Sequence, residues 1–166
     1  TEFNLLAALV SLGIDNVTVE LNSPEVPIMD GSAAPFVYLI QEAGVKALDA
    51  PRRYLKVRRP MSLTFGDKRI AIYPSDHFKV TYSIAFDHPL LRHQSRTIRL
   101  TSDSFVDEIA PARTFTFLKE VEVLRRQGLA LGGSLENAIV ISDTGVLNNG
   151  LRFDDEFVRH KILDVI

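Results

Sequence analysis

The sequence predicts an α+β fold of two lobes, each built as two layers, a sheet and helices. Apolar residues recur at helical spacing in some segments and alternate with polar residues in others. The strand-like runs are grouped rather than alternating regularly with helices, which argues against a parallel wound sheet. A chain of 166 residues with 46% hydrophobic and 24% charged residues is long enough to bury a core and is typical of globular proteins.

Residues 1–48 are predicted to form the C-terminal part of the first lobe. Residues 5–12 are strong helix formers followed by a glycine, and residues 17–21 alternate as a strand with one buried face does. Three prolines then predict an irregular loop, after which a helix can begin at Ser32 or Pro35. Residues 49–53, with a proline and little periodicity, are the predicted linker.

Residues 54–166 are predicted to form the second lobe, which begins with an antiparallel meander. A short helix can be capped by Ser102 or Asp103, and a longer helix carries apolar residues between 118 and 124 and ends at Gly128. The predicted strands are residues 54–58, 61–65, 69–73, 78–86, 97–101 and 138–141.

Composition excludes several classes of protein. A net charge of −2 and a pI near 6.1 give no broad attraction to nucleic acid. Cysteine is absent, which excludes disulfides and thiolate ligands. No apolar run reaches 18 residues and no basic segment precedes an apolar one, so we expect neither a membrane span nor a signal peptide. The first residue is Thr1 rather than Met, which indicates a processed or excised segment.

The last thirteen residues carry the sharpest chemical signal. They are predicted to be helical, so His160 and Asp164 would share one face and could bind a single cation such as Zn²⁺. A protein zinc site needs at least three ligands, and an exposed His–Asp pair is the alternative. Thr114 could donate a hydrogen bond to a reacting oxygen or simply pack in a strand. The remaining histidines are predicted to be surface residues: His77, His88 and His93.

Five motifs, in order along the chain, resemble the UDP-3-O-acyl-N-acetylglucosamine deacetylases of lipid A biosynthesis. They are Leu-Gly-Ile-Asp-Asn at 12–16, Pro-Ile-Met-Asp-Gly-Ser at 27–32, Ala-Arg-Thr-Phe at 112–115, Leu-Gly-Gly-Ser at 131–134 and Asp-Glu-Phe-Val-Arg-His-Lys-Ile-Leu-Asp at 155–164. The resemblance covers residues 5–166 and implies a cytoplasmic zinc hydrolase acting on an acylated UDP-sugar. It also implies an incomplete first lobe. We expect the protein to be a monomer and to bind no nucleic acid.

The resemblance assigns roles to six residues and to one helix. His160 and Asp164 would be two of the zinc ligands, and Thr114 would donate to the developing oxyanion. Phe115 would lie against the substrate. Lys161 and Lys68 would meet the polar or phosphate part of the substrate, and the helix that carries Leu118, Val121 and Leu124 would wall a passage for the acyl chain.

The chain departs from the family pattern at its beginning. The family carries Thr-x-Glu-His-Leu, with Glu as the general base and His as the remaining ligand, where this chain has Phe3 and Asn4. A phenyl ring accepts no proton, an amide is a poor zinc ligand, and Glu2 lies about 100° around the helix. The family also places an acidic residue and the histidine that serves as general acid beyond Ile166. We therefore expect weak zinc binding and little activity, with a non-catalytic binding or scaffold domain as the alternative and a metal-free α+β domain as a third.

Overall fold

A computed structural model describes residues 2–89, 91–126 and 132–166, which form helices and three small sheets. The helices are α1 Glu2–Ser11, α2 Ala34–Ala43, α3 Ser102–Ser104, α4 Leu118–Arg126 and α5 Glu156–Leu163, and a π-helical turn at Phe105–Ile109 follows α3. The strands are β1 Met61–Phe65, β2 Lys68–Ile72, β3 Lys79–Ile84, β4 Gln94–Arg99, β5 Phe115–Phe117, β6 Ile139–Ser142 and β7 Gly145–Val146. The fold class is α+β, as predicted.

The strands pair mostly as local hairpins rather than as one meander. β1 pairs antiparallel with β2, and β3 pairs antiparallel with β4 in a separate sheet. The prediction of a continuous meander was therefore wrong, because β2 and β3 are not neighbours. In the third sheet, β5 and β6 are parallel and β7 returns antiparallel to β6. A parallel pair needs a long crossover, and α4 lies within the one between β5 and β6.

Two predicted strands are absent from the described part of the chain. Residues 17–21 and residues 54–58 are neither helix nor strand. Leu55 is 99% exposed, so the second segment has no layer against which to pack. Alternating side chains are not enough to form a strand, because the backbone N–H and C=O groups also need a neighbouring chain.

The first two helices agree more closely with the prediction from the sequence. α1 begins at Glu2, three residues before the predicted start. α2 begins at Ala34 with Pro35 in its first turn, where the missing N–H of proline costs nothing. Gly44 caps its C-terminus at φ 76°, a backbone conformation that glycine adopts readily.

The short third helix is capped one residue earlier than predicted. The Thr101 hydroxyl accepts from the Ser104 N–H at 3.1 Å, and the Ser104 hydroxyl accepts from the Thr101 N–H at 2.9 Å. This reciprocal arrangement satisfies two backbone donors and makes Thr101 the cap, rather than Ser102 or Asp103. Gly128, the predicted end of the longer helix, lies outside the described residues.

Two hydrophobic clusters meet at α5. Ile162 and Leu163 belong to a cluster with residues of α1, α2 and the π-helical turn. Phe157 and Val158 belong to a second cluster with residues of β3 and β6. Contacts on two sides therefore hold α5 in place. The division at residues 49–53 stays a prediction, and none of the helices in the described ranges is long and apolar enough to cross a bilayer.

Candidate metal centre

Helix α5 brings the predicted ligand pair together. The Asp164 N–H donates to the carbonyl of His160 at 3.0 Å, so Asp164 closes the last turn of the helix. His160 Nε2 lies 3.7 Å from Asp164 Oδ1. A four-residue spacing on a helix puts both side chains on one face, and the structure shows this face-sharing. The role of the two residues as ligands stays a prediction.

The backbone of another segment orients the His160 ring. The side chain is buried, with 4% of the residue exposed, and Nδ1 lies 3.0 Å from the carbonyl oxygen of Ala112. A carbonyl oxygen only accepts, so this contact assigns the proton to Nδ1 and leaves a lone pair on Nε2. Metal-binding histidines usually have this arrangement, in which the second nitrogen donates to a carbonyl or carboxylate.

Electrostatics favour the form of His160 that binds a metal. Burial lowers the pKa of His160, because the charged imidazolium loses its hydration, while the negative charge of Asp164 acts in the opposite direction. The net shift is downward, so the neutral imidazole predominates near pH 7. Only the neutral ring has a lone pair for a cation.

His160 and Asp164 fit two positions around one divalent cation. They offer an imidazole nitrogen and a carboxylate oxygen, which are the donor types that Zn²⁺ accepts when no thiolate is present. Residues 2–89, 91–126 and 132–166 contain no cluster of three or more His, Cys, Asp or Glu residues able to hold a metal ion. Within these ranges, His160 and Asp164 are thus two candidate ligands, one fewer than the three that a protein zinc site needs.

Asn4 lies on the helix that packs against α5. It is 2% exposed on α1, and Ala7 and Ala8 of the same helix belong to the cluster that contains Ile162 of α5. Phe3, its neighbour, is exposed. The position at which the resemblance implies a zinc ligand thus holds a buried amide, and the position at which it implies a general base holds an exposed phenyl ring.

Lys161 and Phe115 lie beside the ligand pair. Lys161 Nζ donates to Asp164 Oδ2 at 2.8 Å and lies 5.2 Å from the centre of the Phe115 ring. The Phe115 ring also packs edge-on against Phe157, with centroids 5.1 Å apart. Four of the six predicted site residues, His160, Asp164, Lys161 and Phe115, are therefore linked by α5 and the start of β5.

Thr114 precedes Phe115, and hydrogen bonds of the Thr114 backbone fix its position. Its N–H donates to the carbonyl of Gly31 at 2.8 Å, and its own carbonyl accepts from the Ile139 N–H at 2.8 Å. Gly31 has φ 82°, and a Cβ there would lie 1.8 Å from the carbonyl oxygen of Asn137. Only glycine therefore fits at position 31, which explains the glycine in the loop that precedes α2.

Lys68 is not brought to the other predicted site residues. It lies exposed on β2, whose sheet contains only β1 and β2. Phe65 pairs with Lys68 across the hairpin, and it too is exposed. A contact between Lys68 and the substrate stays a prediction of the resemblance.

A buried carboxylate that sequence reasoning missed anchors the site. Glu156 is fully buried and accepts from Arg113 Nε at 2.9 Å and from the Arg152 N–H at 2.6 Å. Burial alone would raise the pKa of Glu156, but these hydrogen bonds hold it below its usual value. Arg152 extends the network to Asp30, with Nη2 to Oδ2 at 2.9 Å. The signal was available, because Arg113 and Glu156 are oppositely charged residues that lie within two of the motifs.

His88 corrects another sequence expectation. It was predicted to be a surface residue like His77 and His93, which are exposed, yet it is buried. Its Nε2 lies 2.8 Å from the carbonyl oxygen of Ser142, and its ring packs near Phe117 at a centroid distance of 5.8 Å. A turn position in the sequence did not reveal that β5 and β6 would cover this side chain.

Comparison with known proteins gives the same family as the motifs. The model of the LpxC family, UDP-3-O-acyl N-acetylglycosamine deacetylase, matches residues 3–166. Proteins named UDP-3-O-acyl-N-acetylglucosamine deacetylase are 56% identical over 164 residues in Syntrophotalea carbinolica and 55% identical over 166 residues in Pseudomonas entomophila. Each alignment covers 98% of this chain, but only 53% and 55% of those relatives.

The chain thus spans about half the length of the curated relatives that it matches. The matched region includes α5, the segment from Ala112 to Phe115 and the loop before α2, which are the elements that form the candidate metal centre. A match of this extent and identity is far beyond a shared fold class. The chain belongs to the UDP-3-O-acyl N-acetylglycosamine deacetylase family.

Proposed function

We propose that this chain carries part of the active site of a zinc-dependent amide hydrolase. The substrate would be UDP-3-O-acyl-N-acetylglucosamine, whose acetyl group is removed during lipid A biosynthesis. One observation carries the proposal: His160 directs Nε2 toward Asp164 while Nδ1 is bound to the Ala112 carbonyl. Family membership supplies the substrate class, because the relatives are named for this deacetylation.

The proposed centre divides the chemistry between the metal and the side chains. His160 and Asp164 would hold zinc, and a bound zinc supplies a Lewis acid and a water of lowered pKa. The Thr114 hydroxyl would donate to the amide oxygen as negative charge develops there. This hydroxyl makes no hydrogen bond to another residue in the described ranges, so it is available to a substrate.

Lys161 and Phe115 would orient the substrate beside the metal. The Lys161 ammonium lies against Asp164 and the Phe115 ring, so its charge faces the same space as the ligands. It would meet a phosphate or another polar group of the UDP-sugar, as a point charge with three donors can. Leu118 of α4 is exposed and would contact the acyl chain.

Phe3 and Asn4 limit what this chain does alone. A third zinc ligand and a proton acceptor are needed, and neither side chain supplies them. We expect the purified chain to bind zinc weakly and to release little acetate from the acylated UDP-sugar. One tightly bound zinc per molecule together with rapid acetate release would contradict this expectation.

The variant Asn4→His tests the proposed centre directly. It adds an imidazole on the buried face of α1, and we expect zinc to bind at least about 100-fold more tightly, measured by competition with a chelating dye. Glu2→His is the matched control, because it adds the same group to the exposed face of α1. Equal zinc binding by both variants would place the metal elsewhere.

The non-catalytic alternative is favoured by the same two positions. The discriminating variant is the double substitution Phe3→Glu with Asn4→His. If Asn4→His binds zinc and the double variant binds the acylated UDP-sugar but releases no acetate, the hypothesis of a non-catalytic scaffold domain is supported. A cytoplasmic location, a monomeric state and the absence of nucleic acid stay predictions of the resemblance and the net charge.

A further inference from the structure

We propose that Glu156 is a positioning residue that acts on His160 through a single peptide group, the one joining Ala112 to Arg113. The Arg113 N–H donates to Glu156 Oε1 at 2.9 Å. The Ala112 carbonyl accepts from His160 Nδ1 at 3.0 Å. These N–H and C=O groups belong to one peptide bond, so a buried carboxylate and the candidate ligand are connected by two hydrogen bonds in series. The inference rests on the proposed zinc site.

Helix geometry explains why one peptide group reaches both side chains. Glu156 and His160 are four residues apart in α5, so they project from the same face about one turn apart. The Ala112–Arg113 bond is trans, and its C=O and N–H groups point in opposite directions. A peptide laid along this face therefore meets the carboxylate at one end and the imidazole at the other.

Glu156 is itself held so that it cannot turn away. In addition to the Arg113 N–H, its two oxygens accept from Arg113 Nε at 2.9 Å, from Arg113 Nη2 at 3.2 Å and from the Arg152 N–H at 2.6 Å. Its side chain is 0% exposed, so water does not compete for these donors. The Arg113 guanidinium balances the buried charge, while the backbone hydrogen bond transmits its effect toward His160.

The chain of hydrogen bonds favours one state of the ring. A carboxylate beside an N–H polarises the peptide, which makes its carbonyl oxygen a stronger acceptor. The Ala112 carbonyl then holds the proton on Nδ1 more firmly and keeps the Nε2 lone pair directed at Asp164. In many metal sites a carboxylate contacts the histidine directly to the same end. Here the carboxylate acts from one peptide group away.

Nitrogen NMR of the metal-free chain tests the inference independently of zinc binding and activity. We expect His160 to carry its proton on Nδ1, and we expect Glu156→Gln to shift the Arg113 amide proton upfield and to raise the fraction of the Nε2–H form. Asp155→Asn is the matched control, because Asp155 precedes Glu156 but pairs with Arg96 and Arg159. Equal shifts of His160 in both variants, or none in either, would overturn the proposal.

Zinc titration gives the second readout. In the Asn4→His background, Glu156→Gln is expected to weaken zinc binding about 10-fold, and Asp155→Asn less than about twofold. Equal losses would indicate that the helix end is merely loosened, and would overturn a positioning role. Should Glu156→Gln not fold, the unmodified chain still decides, because a proton on Nε2 of His160 contradicts the inference. Absence of zinc binding even in the Asn4→His background would reject the proposed function, whereas the NMR result would still test the connection from Glu156 to His160.

Discussion

Helix α5 and the β1–β2 hairpin are opposites in how their side chains are held. Phe157 of α5 is 2% exposed and touches a packed cluster, whereas Phe65 of β1 is 83% exposed. The hairpin has a complete hydrogen-bond ladder from Met61 to Ile72, but both of its strands are almost wholly exposed. A ladder fixes the backbone, and only packing fixes side chains. Chemistry that needs fixed side chains is therefore expected at α5.

The largest expected effect in this comparison is on folding stability. Phe157→Ala should lower the free energy of unfolding by about 3–5 kcal/mol, because it opens a cavity beside Phe115 and between the sheet and α5. Phe65→Ala should change it by less than about 0.5 kcal/mol. Urea unfolding of both variants measures the difference, and similar losses would contradict the contrast between the two regions.

A smaller effect is expected on substrate binding. Lys161→Ala should raise the Kd for the acylated UDP-sugar about 10-fold in the Asn4→His chain, because it removes the charge beside Asp164. Lys68→Ala tests the predicted contact between Lys68 and the substrate. We expect a smaller effect from this variant, because Lys68 lies on the exposed hairpin. If Lys68→Ala raises this Kd as much as Lys161→Ala does, the hairpin takes part in substrate binding.

The smallest expected effect is on the dependence of stability on pH. The pKa of Glu156 lies below its ordinary value of 4.5, because the hydrogen bonds of Arg113 and Arg152 outweigh the effect of burial. The stability that this group contributes is complete above its unfolded pKa and is lost as pH falls through the lower folded pKa. Urea unfolding between about pH 6 and about pH 3 should show this decline, and Glu156→Gln should reduce its slope.

The same measurement has a clear contrary result. An unfolding free energy that stays level or rises over this acid range would mean that Glu156 is not stabilised as an anion. Asp155→Asn again serves as the comparison, since the pKa of Asp155 is also lowered, despite partial burial, by hydrogen bonds from Arg159 and Arg96. The two variants should each remove part of the acid dependence.

Local patterns in the sequence predicted the parts of the fold that depend on local contacts. α5 and the pairing of His160 with Asp164 follow from helical spacing, and the hairpin follows from the Gly66–Asp67 turn. Such features involve residues a few positions apart, so their period or turn chemistry is visible in the sequence.

Features that depend on distant segments were not predicted. Residues 17–21 alternate like a strand, but no described strand pairs with them. His88 is buried beside β5 and β6, and its contact with Ser142 spans 54 positions. The hydrogen bonds of Glu156 to Arg113 span 43 positions, and no periodic pattern specifies such a pair. The pairing of His160 with Asp164 could thus be predicted from local spacing in the sequence. The hydrogen bonds between Glu156 and Arg113 became evident only in the structure.

Zinc affinity in the Asn4→His chain tests the central claim most directly. Competition with a chelating dye should show that His160→Ala or Asp164→Ala, added to this variant, weakens zinc binding by at least about 100-fold. His77→Ala, an exposed histidine, should leave the affinity unchanged. Zinc binding that survives the loss of His160 or Asp164, or that depends equally on His77, would contradict the assignment of the metal centre to α5.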